Sequence, residues 1–151
     1  MEFRRRGIRT FVSDDGGFSV RRPSGPSVNR NGLWLKAPGH NYEIRMRSRE
    51  LWLLDGEREV GYADGMQSGW TVLFDERALE LVQPKTGVPH TLVHEAGAAI
   101  GQFAGTGFPM RSFRGEGELG TTAEQTAFLA MIVLTGWRES DRAMLVATGG
   151  G

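Results

Sequence analysis

Residues Thr122–Trp137 read TAEQTAFLAMIVLTGW, and the burial of this stretch decides the fold. Thr121 is followed three residues later by Glu124, the spacing of a capping box in front of an apolar run. Ala127, Phe128, Leu129, Ala130, Met131, Ile132, Val133 and Leu134 then follow without a polar break. Such a run covers more than two helical turns, so every face of the helix is apolar and the helix must be enclosed. Sixteen residues at about 1.5 Å each span roughly 24 Å. That is short for a bilayer core of about 30 Å, and it matches a small barrel of strands five to seven residues long. A helix over residues 121–138 is therefore expected to plug a curled antiparallel sheet. The alternatives are a sandwich with the helix across one open end, and a helix that packs into another subunit. Gly136 weakens the last turn, Arg138 and Arg142 suit a helix C-terminus, and residues 139–151, ending in ATGGG, read as a tail.

Upstream, strand signals dominate. IRTFVSDDGGFSVRR (8–22) places Asp15, Gly16 and Gly17 between two β-prone runs. RPSGPSVNRNG (22–32) is rich in turn formers and reads as a flexible loop. NYEIRMRS (41–48) alternates Tyr42, Ile44 and Met46 with charged residues at period two. ELWLLDGEREVGYAD (50–64) forms a hairpin about Asp55-Gly56, and GWTVLFDERALELVQP (69–84) reads as strand, tight turn, strand. HTLVHEAGAAIGQFAG (90–105) turns near Glu95-Ala96-Gly97, and PMRSFRGEG (109–117) adds a last strand. Short connections between successive strands imply a meander. The expected fold is α+β but mainly β: an antiparallel barrel of about ten short strands around a buried C-terminal helix. Gly61, Ala63, Gly97, Ala99 and Gly101 would leave room for the plug. The 151 residues suit one domain, with a basic, partly flexible segment (1–32), the strands (33–115), the helix and the tail.

The formal net charge is zero, yet its placement is uneven. Residues 1–49 hold eleven basic side chains against Glu2, Asp14, Asp15 and Glu43, and the remainder is acidic by the same margin. Such asymmetry marks a surface for phosphate groups, or pairs one third of the domain with the rest. Cys is absent, which excludes disulfides and thiolate chemistry and fits a reducing cytoplasm. The start, MEFRRRGIRTF, has no apolar run behind its basic cluster and is not read as a signal peptide.

Catalytic and metal patterns fail one by one. His90 and His94, followed by Glu95, lack the H-E-x-x-H order. In a strand they lie roughly 13 Å apart on one face, so no shared metal is expected. GAAIGQFAGTGF is neither a dinucleotide fingerprint nor a phosphate loop, and GMQSGW has the wrong spacing for a nucleophile elbow. Asp14-Asp15 suits a turn, and His40 an exposed loop. Of the four tryptophans, Trp52, Trp70 and Trp137 are expected in the core. Trp34 is the most open to a binding role.

The order of elements resembles the tubby-like superfamily: tubby C-terminal domains, LURP-one-related proteins and phospholipid scramblases. The resemblance covers residues 33 to 138 and rests on hairpins in series, as in ELWLLDGEREVGYAD and GAAIGQFAG (97–105), followed by the apolar helix AFLAMIVLTGW (127–137). It implies a closed barrel threaded by that helix. It also implies functions such as phosphoinositide binding, in tubby domains, or lipid movement, in scramblases. The chain departs from scramblases in lacking a cysteine-rich lipidation tract and a compact acidic calcium site. The phosphoinositide-binding residues of tubby domains have no matching motif here.

The function expected is a non-enzymatic binding or scaffold domain without cofactor or metal, cytoplasmic or peripheral to a membrane. Its candidate surface for an anionic phospholipid or a protein partner is Arg4, Arg5, Arg6, Arg9, Arg21, Arg22, Arg30 and Trp34. Basic residues mixed with Phe3, Ile8 and Phe11 suit an anionic membrane. Zero net charge and the lack of a recognition-helix pattern count against nucleic acid. The alternative is a structural subunit of a larger assembly, with residues 1–32 as an interaction arm.

Overall fold

The computed structural model describes residues 1–7, 9–15, 17–21, 34–66, 69–107 and 110–149, with residues 142–149 as helical backbone alone. Its strands are β1 (Glu2–Arg5), β2 (Thr10–Ser13), β3 (Ser19–Arg21), β4 (Trp34–Ala37), β5 (His40–Arg47), β6 (Glu50–Asp55), β7 (Arg58–Met66), β8 (Gly69–Phe74), β9 (Arg77–Val82), β10 (His90–Glu95), β11 (Ala98–Thr106) and β12 (Ser112–Gly117). The helix α1 (Ala123–Gly149) follows them. Each strand pairs antiparallel with its neighbours in sequence, and β12 pairs back with β1, closing a twelve-stranded barrel. Two-residue turns carry several hairpins; Gly56, at φ 65°, takes the left-handed conformation between β6 and β7.

Period-two burial sets the wall. Leu51 and Leu53 of β6, Trp70, Val72 and Phe74 of β8, and Leu79 and Leu81 of β9 point inward. An eight-stranded barrel is about filled by its own side chains, whereas sixteen strands leave a channel. Twelve strands leave space that a helix with side chains, about 10 Å across, can occupy. Ala127 to Leu134 are each at most 2% exposed and share one core cluster with inward residues from β1 to β4 and from β6 to β12. This encloses the apolar run on every face. The wall makes way for it at Gly61, where a methyl group would lie 3.1 Å from the Phe128 and Phe74 rings, and at fully buried Ala63.

Several expectations need correction. The barrel has twelve strands instead of about ten, because MEFRR is a strand as well as a basic cluster. Phe3 is fully buried and stacks on Phe113 at 4.8 Å, across the β1–β12 seam that closes the barrel. Residues 2–5, 10–13 and 19–21 are therefore barrel wall, while the loop 22–32 lies outside the described residues. Gly97, Ala99 and Gly101 do not flank the helix: Gly97 sits in an open turn, Ala99 is exposed, and Gly101 packs on the Glu116 carbonyl and Leu119. Trp70 and Trp137 are buried, but Trp52 alternates out of phase with Leu51 and Leu53 and lies outside, 5.4 Å from Tyr62.

The helix cap is displaced by one residue. Thr122 Oγ1 accepts from the Gln125 amide at 3.1 Å, and Gln125 Oε1 accepts from the Thr122 amide at 3.0 Å. Glutamine serves at this position as well as glutamate, and Glu124 is thereby free to accept a hydrogen bond from the Tyr42 hydroxyl. At the other end the helix does not stop at residue 138; its backbone continues to Gly149, so residues 139–149 are helix and no frayed tail. Twenty-seven residues span about 40 Å. Burial ends near Trp137, and exposure rises through residues 138–141.

Candidate binding site at the basic barrel mouth

In a meander, successive connections alternate between the two ends of the barrel, and here they sort by charge. The connections at the end where α1 begins hold Asp14, Asp15, Glu57, Asp75, Glu76 and Glu118, with no basic residue among those described. The connections at the opposite end hold Arg6, Arg9, Arg49, Lys85 and Arg111, with no acidic one among those described. The helix enters at the acidic end, its positive pole among carboxylates, which is the favourable orientation.

The acidic end is tied shut. Arg77 pairs with Glu95 through Nε at 2.8 Å and Nη2 at 3.1 Å, and also donates to the carbonyls of Leu119 (2.7 Å) and Gly120 (3.0 Å). One guanidinium thus fastens the β12–α1 link to β9 and β10. The hydrogen bond from Arg77 holds the Glu95 carboxyl below its ordinary range, against a smaller opposing effect of desolvation. Glu2 is lowered likewise, by hydrogen bonds from Arg114 and then Arg4. The Tyr42 hydroxyl is pushed up by burial and by its bond to Glu124. On the outer wall Tyr62, hydrogen-bonded to Glu50 at 2.7 Å, is raised to about 12 by that bond and then by desolvation.

The basic end holds a cleft among the described residues. The cleft, of about 590 Å³, lies between α1 and the edges of β8, β9 and β10. It is lined by Gly136, with the buried Ile132 and Val133 behind it, by Trp70, Leu81 and Val82, and by Arg49, Gln83, Thr86, Glu139 and Ser140. Beneath this lining the Trp137 indole donates to Thr91 Oγ1 at 2.9 Å. The Gly87 amide donates to Ser140 Oγ at 2.6 Å, fixing the β9–β10 connection to the helix. Arg49 lies over Gly65, where a methyl would come within 2.7 Å of its Nε. Its Nη2 is 3.3 Å from Glu139, and its guanidinium carbon is 5.4 Å from the Trp70 ring. Arg49 Nε is buried without a hydrogen-bond partner among the described residues.

The residues singled out from sequence distribute unevenly around this mouth. Arg6 and Arg9 stand in the β1–β2 connection. Arg5 ends β1, with its guanidinium 5.4 Å from the Phe11 ring. Arg21 and Trp34 are cross-strand partners at the same end, and Arg21 and Lys36 lie 4.3 and 4.4 Å from the Trp34 ring. Arg4 instead points along the outer wall, 3.2 Å from Glu2. Arg22 and Arg30 lie outside the described residues. Arg49, Trp70, Gly136 and Glu139 are absent from the sequence-derived set. Trp70 was assigned to the core, where most of it lies, and the only local sign at Gly136 was a glycine inside a helix.

The histidines do not converge. His90 contacts Gln102 Oε1 at 2.8 Å, and His94 lies past a bulge opposite Glu80. Among the described residues no group of three or more His, Cys, Asp or Glu side chains is placed to hold a metal ion, and no helix is long and apolar enough to cross a membrane. Comparison with protein-family models, with curated proteins and with solved structures finds no match to this chain.

Proposed function

We propose that the chain is a non-enzymatic binding domain, a tubby-like barrel, whose basic end docks on an anionic phospholipid surface. The observation that carries this is the sorting of charge: every charged residue of the described connections at that end is basic. The helix backbone also passes beyond the buried segment at this end and carries the apolar sequence Ala143-Met144-Leu145-Val146-Ala147 after Arg138, Glu139, Asp141 and Arg142. Each basic side chain near such a surface contributes about 1 kcal/mol, screened by salt. In flotation with phosphatidylglycerol vesicles the protein is expected to rise at low salt and to stay down at 0.5 M salt, about that level. The combined Arg6→Glu, Arg9→Glu and Arg111→Glu variant should lose about a hundredfold or more in affinity. Retention in the bottom fraction at low salt would sink the proposal.

A second reading rests on the opposite end. An acidic end on one copy complements the basic end of another, which suits a head-to-tail subunit of a larger assembly. Light scattering at high protein concentration and low salt should then show a mass that grows with concentration. A constant monomer would exclude self-assembly by this route.

A further inference from the structure

We infer that the cleft at the basic mouth is a binding site for a single-chain amphipathic anion. The anionic head would sit on Arg49, and the chain would run past Trp70 along Val82 and Gly136, above the buried Ile132 and Val133. The proposal goes beyond membrane docking, because a protein that ignored vesicles could still hold such a molecule.

Three observations converge on this ligand. The cleft, at about 590 Å³, has the size of small-molecule sites, and its mixed apolar and polar lining has their chemistry. Its cation is positioned and incompletely used. Arg49 is seated over Gly65 with Nε unpartnered among the described residues, and its Nη2 faces Glu139 across 3.3 Å. Both side chains of that pair are about two-fifths exposed, at 42% and 39%, so the pair is weak and an incoming phosphate or carboxylate can displace Glu139. The described connections at this end of the barrel carry only positive charge, so once Glu139 is displaced the end favours an anion over a cation or a neutral lipid.

The third observation is Gly136. A glycine inside a helix is costly relative to alanine, and packing does not require this one. A methyl there would lie no nearer than 3.5 Å to any other group, the Trp70 Nε1. A methyl there would sit in ordinary contact with the Trp70 indole, and a longer side chain would reach into the cleft. Gly61 differs, since it is wedged against two rings.

The test is calorimetric titration of the whole protein with monodecyl phosphate below its micelle concentration, with decyltrimethylammonium as the charge control. The phosphate should bind with a single site and the ammonium should not. Arg49→Gln should weaken binding at least tenfold, whereas Glu139→Gln should tighten it severalfold by removing the competing carboxylate. Gly136→Leu should abolish binding, and Gly136→Ala should raise Tm by about 2–4 °C, confirming that the position tolerates a side chain. Flotation with vesicles containing phosphatidic acid separates sources. Binding to soluble amphiphile alone assigns a free ligand, and loss of vesicle binding in Gly136→Leu assigns a membrane lipid. No heat with monodecyl phosphate at millimolar concentration, or equal binding by the Arg49→Gln and Glu139→Gln variants, would overturn the proposal.

Discussion

The two ends of this barrel are built from alternate connections of one meander and do opposite things. At the acidic end, Arg77 draws the link to the helix down onto Glu95, the Thr122–Gln125 box caps the helix, and Tyr42 holds Glu124. Polar groups there are spent on each other. At the basic end the helix passes through, Arg49 holds an exposed pair with Glu139 beside the Trp70 ring, and a cleft remains between the helix and β8–β10. An end whose hydrogen bonds are satisfied internally has little left for a ligand, whereas a cleft whose cation holds only an exposed ion pair can exchange that pair for an anion. The stabilising contacts and the candidate binding contacts are therefore separated along the helix axis.

That separation can be broken or sharpened by mutation. The largest effect should come from the shared middle. Phe128→Ala removes a fully buried ring that both Gly61 and Phe74 are shaped around. It should cost about 3–5 kcal/mol in urea denaturation. Arg77→Ala at the acidic end removes donors to two carbonyls and is expected to cost about 2 kcal/mol, with no change in binding of monodecyl phosphate. A variant that kept stability but lost binding would reverse the roles assigned to the two ends. Thr91→Val, beneath the cleft, leaves the buried Trp137 indole without its acceptor and should cost about 1–3 kcal/mol. Tyr42→Phe should cost about 1 kcal/mol, read as a shift in the denaturation midpoint.

The smallest effect is pH dependence. Glu2 and Glu95 are both lowered by arginine partners in the folded state. Their contribution is present above the unfolded carboxylate value, near 4.3, and is lost as the pH falls through the lower folded values. Thermal unfolding scans should show stability declining below about pH 4. Arg77→Gln should flatten that decline, since it removes the cause of the Glu95 shift. An unchanged acid limb would mean that the Arg77–Glu95 pair is not what the folded state protects.

How far the sequence carries depends on whether the physics is local. Helix and strand period, glycine turns and the apolar run at 127–134 are local patterns, and they led to an enclosed helix within an antiparallel barrel. β1 was hidden because Arg4 and Arg5 mask the single inward Phe3, whose role exists only once Phe113 lies opposite. The capping box slipped by one residue because Thr121 and Thr122 both have acceptable partners three residues on. The structure separates them by engaging the Thr121 hydroxyl with Thr126 and Glu124 with Tyr42.

The candidate site was less legible still. The count of basic residues in the first third was visible, but not that alternating strand direction gathers some of them with Lys85 and Arg111 from the last two thirds. Arg49, Trp70, Gly136 and Glu139 are spread over ninety residues of chain. Sequence alone determined that a helix apolar on every face needed a wall, because burial energy is a property of the residues themselves. Only the tertiary structure decided that the wall has twelve strands, which end is basic, and where the cleft opens. Those depend on closure and strand direction, and no single segment encodes them.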